Sequence, residues 1–98
     1  MDSKRIAWLP RDEEKNKSLY GISFGLAEEV IRNSVSFQCR NIHGDFAFIG
    51  LTNDMNHVLY VYCVDEEGFR KIKRARIATI EEENIFFFAL SGGQNGRS

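Results

Sequence analysis

Five cations crowd one short stretch of this sequence: Arg70, Lys71, Lys73, Arg74 and Arg76. The segment Phe69 to Ala78 that carries them reads as a β-strand, and strict alternation along it puts Arg70, Arg74 and Arg76 on one face and Lys71 and Lys73 on the other. Arginine suits a phosphate-binding face, because its planar fork holds two phosphate oxygens at once and stays charged at any working pH. Such a face suits a phosphate group, whose charge it offsets. A solvated strand whose charges keep a sheet edge soluble has the same composition, so the pattern alone leaves both readings open.

Other residues with chemical potential are scattered. Tyr20 is a poor base at neutral pH, since a phenol titrates near 10, but it can stack on a nucleobase, donate a hydrogen bond, or simply close a helix. Trp8 offers either a stacking platform or a packing anchor. Glu82 suits a helix cap first and a general base second. His43 and His57 fall in turns with no partner at triad or ligand spacing. Cys39 and Cys63 belong to no Cys-x-x-Cys pair, so reduced thiols are expected and neither a metal nor another cofactor is implied. No phosphate loop, dinucleotide fingerprint or zinc-protease motif occurs.

Turn and cap residues set the elements that must position these groups. Pro10 and the acids Asp12 to Glu14 open a first helix, expected from Arg11 to Leu19, and Gly21 ends it. Ser23 caps a second helix, with Leu26, Ala27, Val30 and Ile31 at helical spacing. Four strand-like segments follow: Val35 to Arg40, Asp45 to Leu51, Val58 to Val64 and Phe69 to Ala78. Asn53, Asp54 and Asn56 mark one hairpin loop and Asp65 to Gly68 another, so neighbouring strands run antiparallel. Thr79-Ile80-Glu81-Glu82 fits a capping box and opens a last helix ending near Leu90. Phe86, Phe87 and Phe88 cannot all point inward from it, which implies a partner chain. The acidic runs Asp12 to Glu14, Asp65 to Glu67 and Glu81 to Glu83 read as solvated faces, or as surfaces for a basic partner. The order predicts an α+β domain: two N-terminal helices, a three- to four-stranded, mainly antiparallel sheet, and a C-terminal helix.

At 98 residues the chain has enough sequence for one core, expected over residues 1–90, with a flexible tail over 91–98. A hydrophobic fraction of 43% excludes the disordered class, and a net charge of −1 excludes attraction to nucleic acid by bulk charge, so any such attraction must be local. No apolar run approaches the roughly 20 residues that cross a bilayer, so a soluble, cytoplasmic protein without a membrane role is expected.

With the elements in place, an ordered set of residues stands out: Trp8, Pro10, Asn16, Gly21, Ser23, Phe24 and Ala27, then Ile49-Gly50, then Ala75-Arg76, Ala78-Thr79 and Glu82. From about Trp8 to Phe87 this order resembles BrnT-type toxins, which typically carry Trp-Asp-Pro, then Asn before Lys-His-Gly-Val-Ser-Phe, an Ile-Gly strand, and Ser-Ala-Arg-Lys-Ala-Thr followed by Glu. The resemblance implies a RelE-like fold and a metal-independent endoribonuclease, the toxin of a type II toxin-antitoxin pair. It also implies neutralisation by a BrnA-like antitoxin, in a homodimer or a heterotetramer with it. On that reading Arg76, Arg74 and Tyr20 are the catalytic candidates, and Arg70, Lys71 and Trp8 the RNA-binding ones. The chain departs from the pattern where Tyr20 replaces histidine, Leu9 replaces Asp, and Asp12, Asp45, Glu81 and Glu83 fall at or near basic positions. Those reversals favour the alternative: a catalytically inactive BrnT-like binding module or inhibitor that uses acidic surfaces on a basic protein.

Overall fold

In the computed structural model, residues 5–33, 36–40 and 45–91 are described, without the side chains of Phe37, Cys39 and Arg40. His43 and the segment 92–98 lie outside them, and with the latter nearly all of the expected tail. A short strand not anticipated from the sequence, β1 (Arg5–Ala7), precedes the first helix. Pro10, whose fixed φ and missing N–H suit the first helical position, then starts α1 (Pro10–Tyr20), which ends at Gly21 in the left-handed conformation (φ 73°). Helix α2 (Phe24–Arg32) begins at Ser23, whose hydroxyl accepts from the Leu26 N–H, and Glu13 of α1 accepts from the Phe24 N–H at 3.0 Å. One acid thus caps the next helix and favours its positive end.

Strands β2 (Phe37–Arg40), β3 (Phe46–Leu51), β4 (Val58–Glu66) and β5 (Phe69–Ile77) form the antiparallel series that the turn residues predict. Helix α3 (Ile80–Leu90) closes the described chain, and its full capping box joins Thr79 and Glu82. The sheet has five strands in the order β1-β5-β4-β3-β2, because β1 lies parallel to β5 at one edge. The domain is therefore α+β, a mixed sheet with α2 on one face, α3 on the other and α1 against the edge of β5. None of its described helices is long and apolar enough to cross a membrane.

The larger core lies under α2, where Phe24, Ala27 and Val30 pack on Phe48, Leu59, Val61, Cys63, Ile72 and Ala75. Contact is close enough that a Cβ on Gly50 would stand 3.1 Å from Val30 and 3.0 Å from Ser36, so the Ile49-Gly50 pair marks a helix-sheet approach. The smaller core gathers Ile49, Val58, Ala78 and Phe86 beneath α3. Phe86 is the fully buried anchor of that helix, and truncating it would cost about 3–5 kcal/mol. Cys63 is buried and unpaired. Burial pushes its thiol up to about 12, which keeps it neutral and inert.

Candidate nucleic-acid interface

Strand β5 does not alternate evenly. Tyr62 faces Arg74 across the β4–β5 ladder while the next residue, Cys63, faces Ile72, so Lys73 is an extra residue at a β-bulge. The consequence is visible in burial: Ile72 and Ala75, three positions apart, both lie fully buried in the α2-side core. Arg74 and Arg76 therefore share the α3-side face, as alternation predicts, but Arg70 belongs to the opposite face. Its guanidinium lies 5.0 Å from the Phe46 ring centroid and 5.4 Å from that of Phe48. The expectation that all three arginines line one face is thus corrected, because a slip of one residue reverses every side chain beyond it.

Among the described residues α3 packs mainly over β3 and β2, with Val58 and Tyr60 of β4 at the margin of its core. The β4–β5 ladder sets Tyr60 opposite Arg76 and Tyr62 opposite Arg74. The Arg76 guanidinium stacks 4.3 Å from the Tyr60 ring centroid and forms a two-pronged ion pair with Glu82, both contacts at 2.9 Å. Glu82 also accepts from the Thr79 N–H, so one carboxylate holds the arginine and the start of α3 together. Pairing with Arg76 holds its carboxyl below the usual glutamate value. The Tyr62 hydroxyl donates to Asp45, and this hydrogen bond pushes the phenol above its usual value of 10.0.

Helix α1 brings the third catalytic candidate. Asn16 is buried at its centre and pairs with Ala75 as a neighbouring strand would, accepting from its N–H at 3.0 Å and donating to its carbonyl at 2.8 Å. Strand β1 reaches only Lys71, so Asn16 satisfies the edge of β5 where no strand does. That tether sets Tyr20 and Arg74 along one cleft and puts Tyr20 within electrostatic range of Arg76. Arg74 and Tyr20 thus share one cleft, and Arg76 follows two residues on along the same face of β5.

The three RNA-binding candidates do not join them. Arg70 donates to both oxygens of Asp65, at 2.9 and 3.2 Å, and its side chain is only 11% exposed. Lys71 pairs with Glu66 at 2.8 Å and lines a separate groove with Trp8 and Phe69. Trp8 meets Phe24 edge-on, with ring centroids 6.0 Å apart, and packs against the larger core. The acids expected on solvated faces are partly spent in such pairs: Asp12, Asp65, Glu66 and Glu82 each face a cation. Tyr60 and Tyr62 were not among the sequence candidates, although alternation within Val58 to Val64 puts both on one face. Among the described residues no group of three or more His, Cys, Asp or Glu is placed to hold a metal.

An α+β domain with helices on both faces of a mixed sheet, and Arg74 and Arg76 set against Tyr62 and Tyr60 beside α3, is the class of structure these features define. Its fold is similar to that of the Brucella abortus ribonuclease toxin BrnT, with a TM-score of 0.64 at 15% identity, over 79% of this chain and 99% of that one. No protein-family model matches the sequence, and no curated protein does.

Proposed function

We propose that this chain is an RNA-cleaving toxin of the BrnT kind, a metal-independent endoribonuclease of the cytoplasm that a BrnA-like antitoxin neutralises. The observation that carries the proposal is that Arg74 and Arg76 share one face of β5, Arg76 stacked on Tyr60 and Arg74 in a cleft with Tyr20. On this reading Arg76 and Arg74 bind the scissile phosphate and offset the charge that develops when the 2′-oxygen bonds to phosphorus and the bond to the 5′-oxygen breaks. Tyr20 is positioned to hydrogen-bond or stack, and Glu82 fixes the Arg76 fork. The likeness in fold to a ribonuclease toxin supports the same reading.

The assay is cleavage of an end-labelled RNA by purified protein in excess chelator, with products tested for a 2′,3′-cyclic phosphate. Cleavage that disappears in Arg76→Ala while the circular dichroism spectrum is kept is the expected result. No cleavage by the wild type, together with harmless expression, would sink the proposal and leave the catalytically inactive binding module as the better account. That account has one structural observation in its favour, since Glu82 already occupies both arms of the Arg76 fork.

A partner is part of the proposal. Ile80, Ile85, Phe87, Phe88 and Leu90 of α3 are all exposed, and Ile80 reaches 75%. Such a surface is costly to leave in water. Light scattering should therefore show association of the wild type, alone or with an antitoxin, that Phe87→Glu abolishes. A wild type that stays monomeric in both settings removes α3 as an interface.

A further inference from the structure

Helical spacing puts Asp12, Lys15, Leu19 and Tyr20 along one side of α1, and that side faces the bulged part of β5. Between them runs a cleft of about 280 Å³ lined also by Lys73 and Arg74. Three cations, Lys15, Lys73 and Arg74, thus converge on one concavity with a tyrosine ring at its rim. One anion accompanies them: the Asp12 carboxylate, 3.6 Å from the Lys73 ammonium. Its Oδ2 is buried without a hydrogen bond, so Lys73 is what compensates its charge. Among the described residues Lys15 and Arg74 join no ion pair, so the cleft retains an excess of positive charge in a protein whose net charge is −1.

The cleft lies beside the bulge. Lys73, the extra residue of β5, reaches Asp12 of α1 and lines the cleft together with Arg74. We infer that Lys15 and Lys73 extend the α1–β5 cleft into a second phosphate-binding site, which holds a backbone phosphate of the RNA strand flanking the one held at Arg74 and Arg76. The inference rests on the proposed ribonuclease function and adds Lys15 and Lys73 to the residues that hold the substrate. RNA is favoured over an acidic protein because the Tyr20 ring lines the cleft among the cations, and an aromatic ring beside cationic groups suits a base next to a phosphate. Asp12 tempers the site: it holds Lys73 in place and cancels part of its charge.

The test measures binding apart from cleavage, with a short fluorescein-labelled RNA carrying 2′-O-methyl groups throughout, by anisotropy across a salt series. Lys15→Gln and Lys73→Gln should each weaken binding roughly fivefold at low salt, and each should reduce the slope of log affinity against log salt by about 0.7. Asp12→Asn should tighten binding a few-fold, a gain that misfolding cannot imitate. Lys17→Gln, exposed on α1 but outside the cleft, should leave it unchanged. If the Lys15 and Lys73 variants bind like the wild type while Arg76→Ala weakens binding, the cleft proposal is overturned and the ribonuclease reading stands. If the wild type binds no RNA even at low salt, both fall.

Discussion

The two halves of β5 carry the same residue types in different settings. Before the bulge, Arg70 is nearly buried against Phe46 and Phe48 and holds Asp65, and Lys71 pairs with Glu66 across the hairpin end. After it, Arg74 is exposed, and Arg76 stacks on Tyr60 while pairing with Glu82. Charge density therefore says little about the surroundings of each cation in this strand. What differs is the face and the neighbours of each, and the bulge at Lys73 sets the face.

If the halves differ in this way, exchanging a residue type between them separates activity from stability. The largest effect belongs to Arg76→Ala, which should lower RNA cleavage a hundredfold or more, the scale for losing one preorganised donor, while Lys71→Ala leaves the rate within twofold. Equal losses from both would erase the distinction. Next, Arg70→Ala should cost about 2 kcal/mol of stability by removing the two-armed contact to Asp65 and the packing on Phe46 and Phe48, and lower the melting temperature by roughly 10 °C, with RNA affinity unchanged. An Arg70 variant that weakens RNA binding but melts like the wild type would put that residue back among the ligand-binding groups.

The smallest expected effect concerns pH. Because Arg76 lowers the Glu82 carboxyl below its ordinary value of 4.5, the pair contributes stability that is complete above that value and is lost as the pH falls through the lowered one. Urea titrations at neutral pH and near pH 3 should therefore converge for wild type and Glu82→Gln at the acid end. A constant gap between the two proteins at both pH values would mean that Glu82 acts through packing alone. The Glu66 carboxyl, lowered by Lys71, is fully exposed and should add little.

Much of this architecture is local and was legible in the residues. Ser23 and Thr79 cap helices because their hydroxyls accept from amides three positions on, and Gly21 ends α1 because a left-handed residue is needed there. The turns at Asn53–Asn56 and Asp65–Gly68 required antiparallel neighbours, and Arg74 and Arg76 keep the phase that alternation gives them. The pairing of Tyr60 and Tyr62 with these arginines was within reach of the same rule, applied across the hairpin.

Three features were decided only by tertiary structure. Strand β1 has no periodicity of its own and exists because β5, distant in sequence, offers a parallel edge. The bulge is silent in Ile72-Lys73-Arg74-Ala75, since either register satisfies local propensity, and burying both Ile72 and Ala75 in the core under α2 selects the bulged one. Which anion each cation meets was likewise set by the folded geometry: Asp65 and Glu66 across the hairpin turn for Arg70 and Lys71, Glu82 at the start of α3 for Arg76, and Asp12, distant in sequence, for Lys73. The sequence determined the elements and their order, because caps, turns and alternation act within a few residues. The fold determined the face and the partner of each charge, because burial and ion pairing depend on where packing sets each residue.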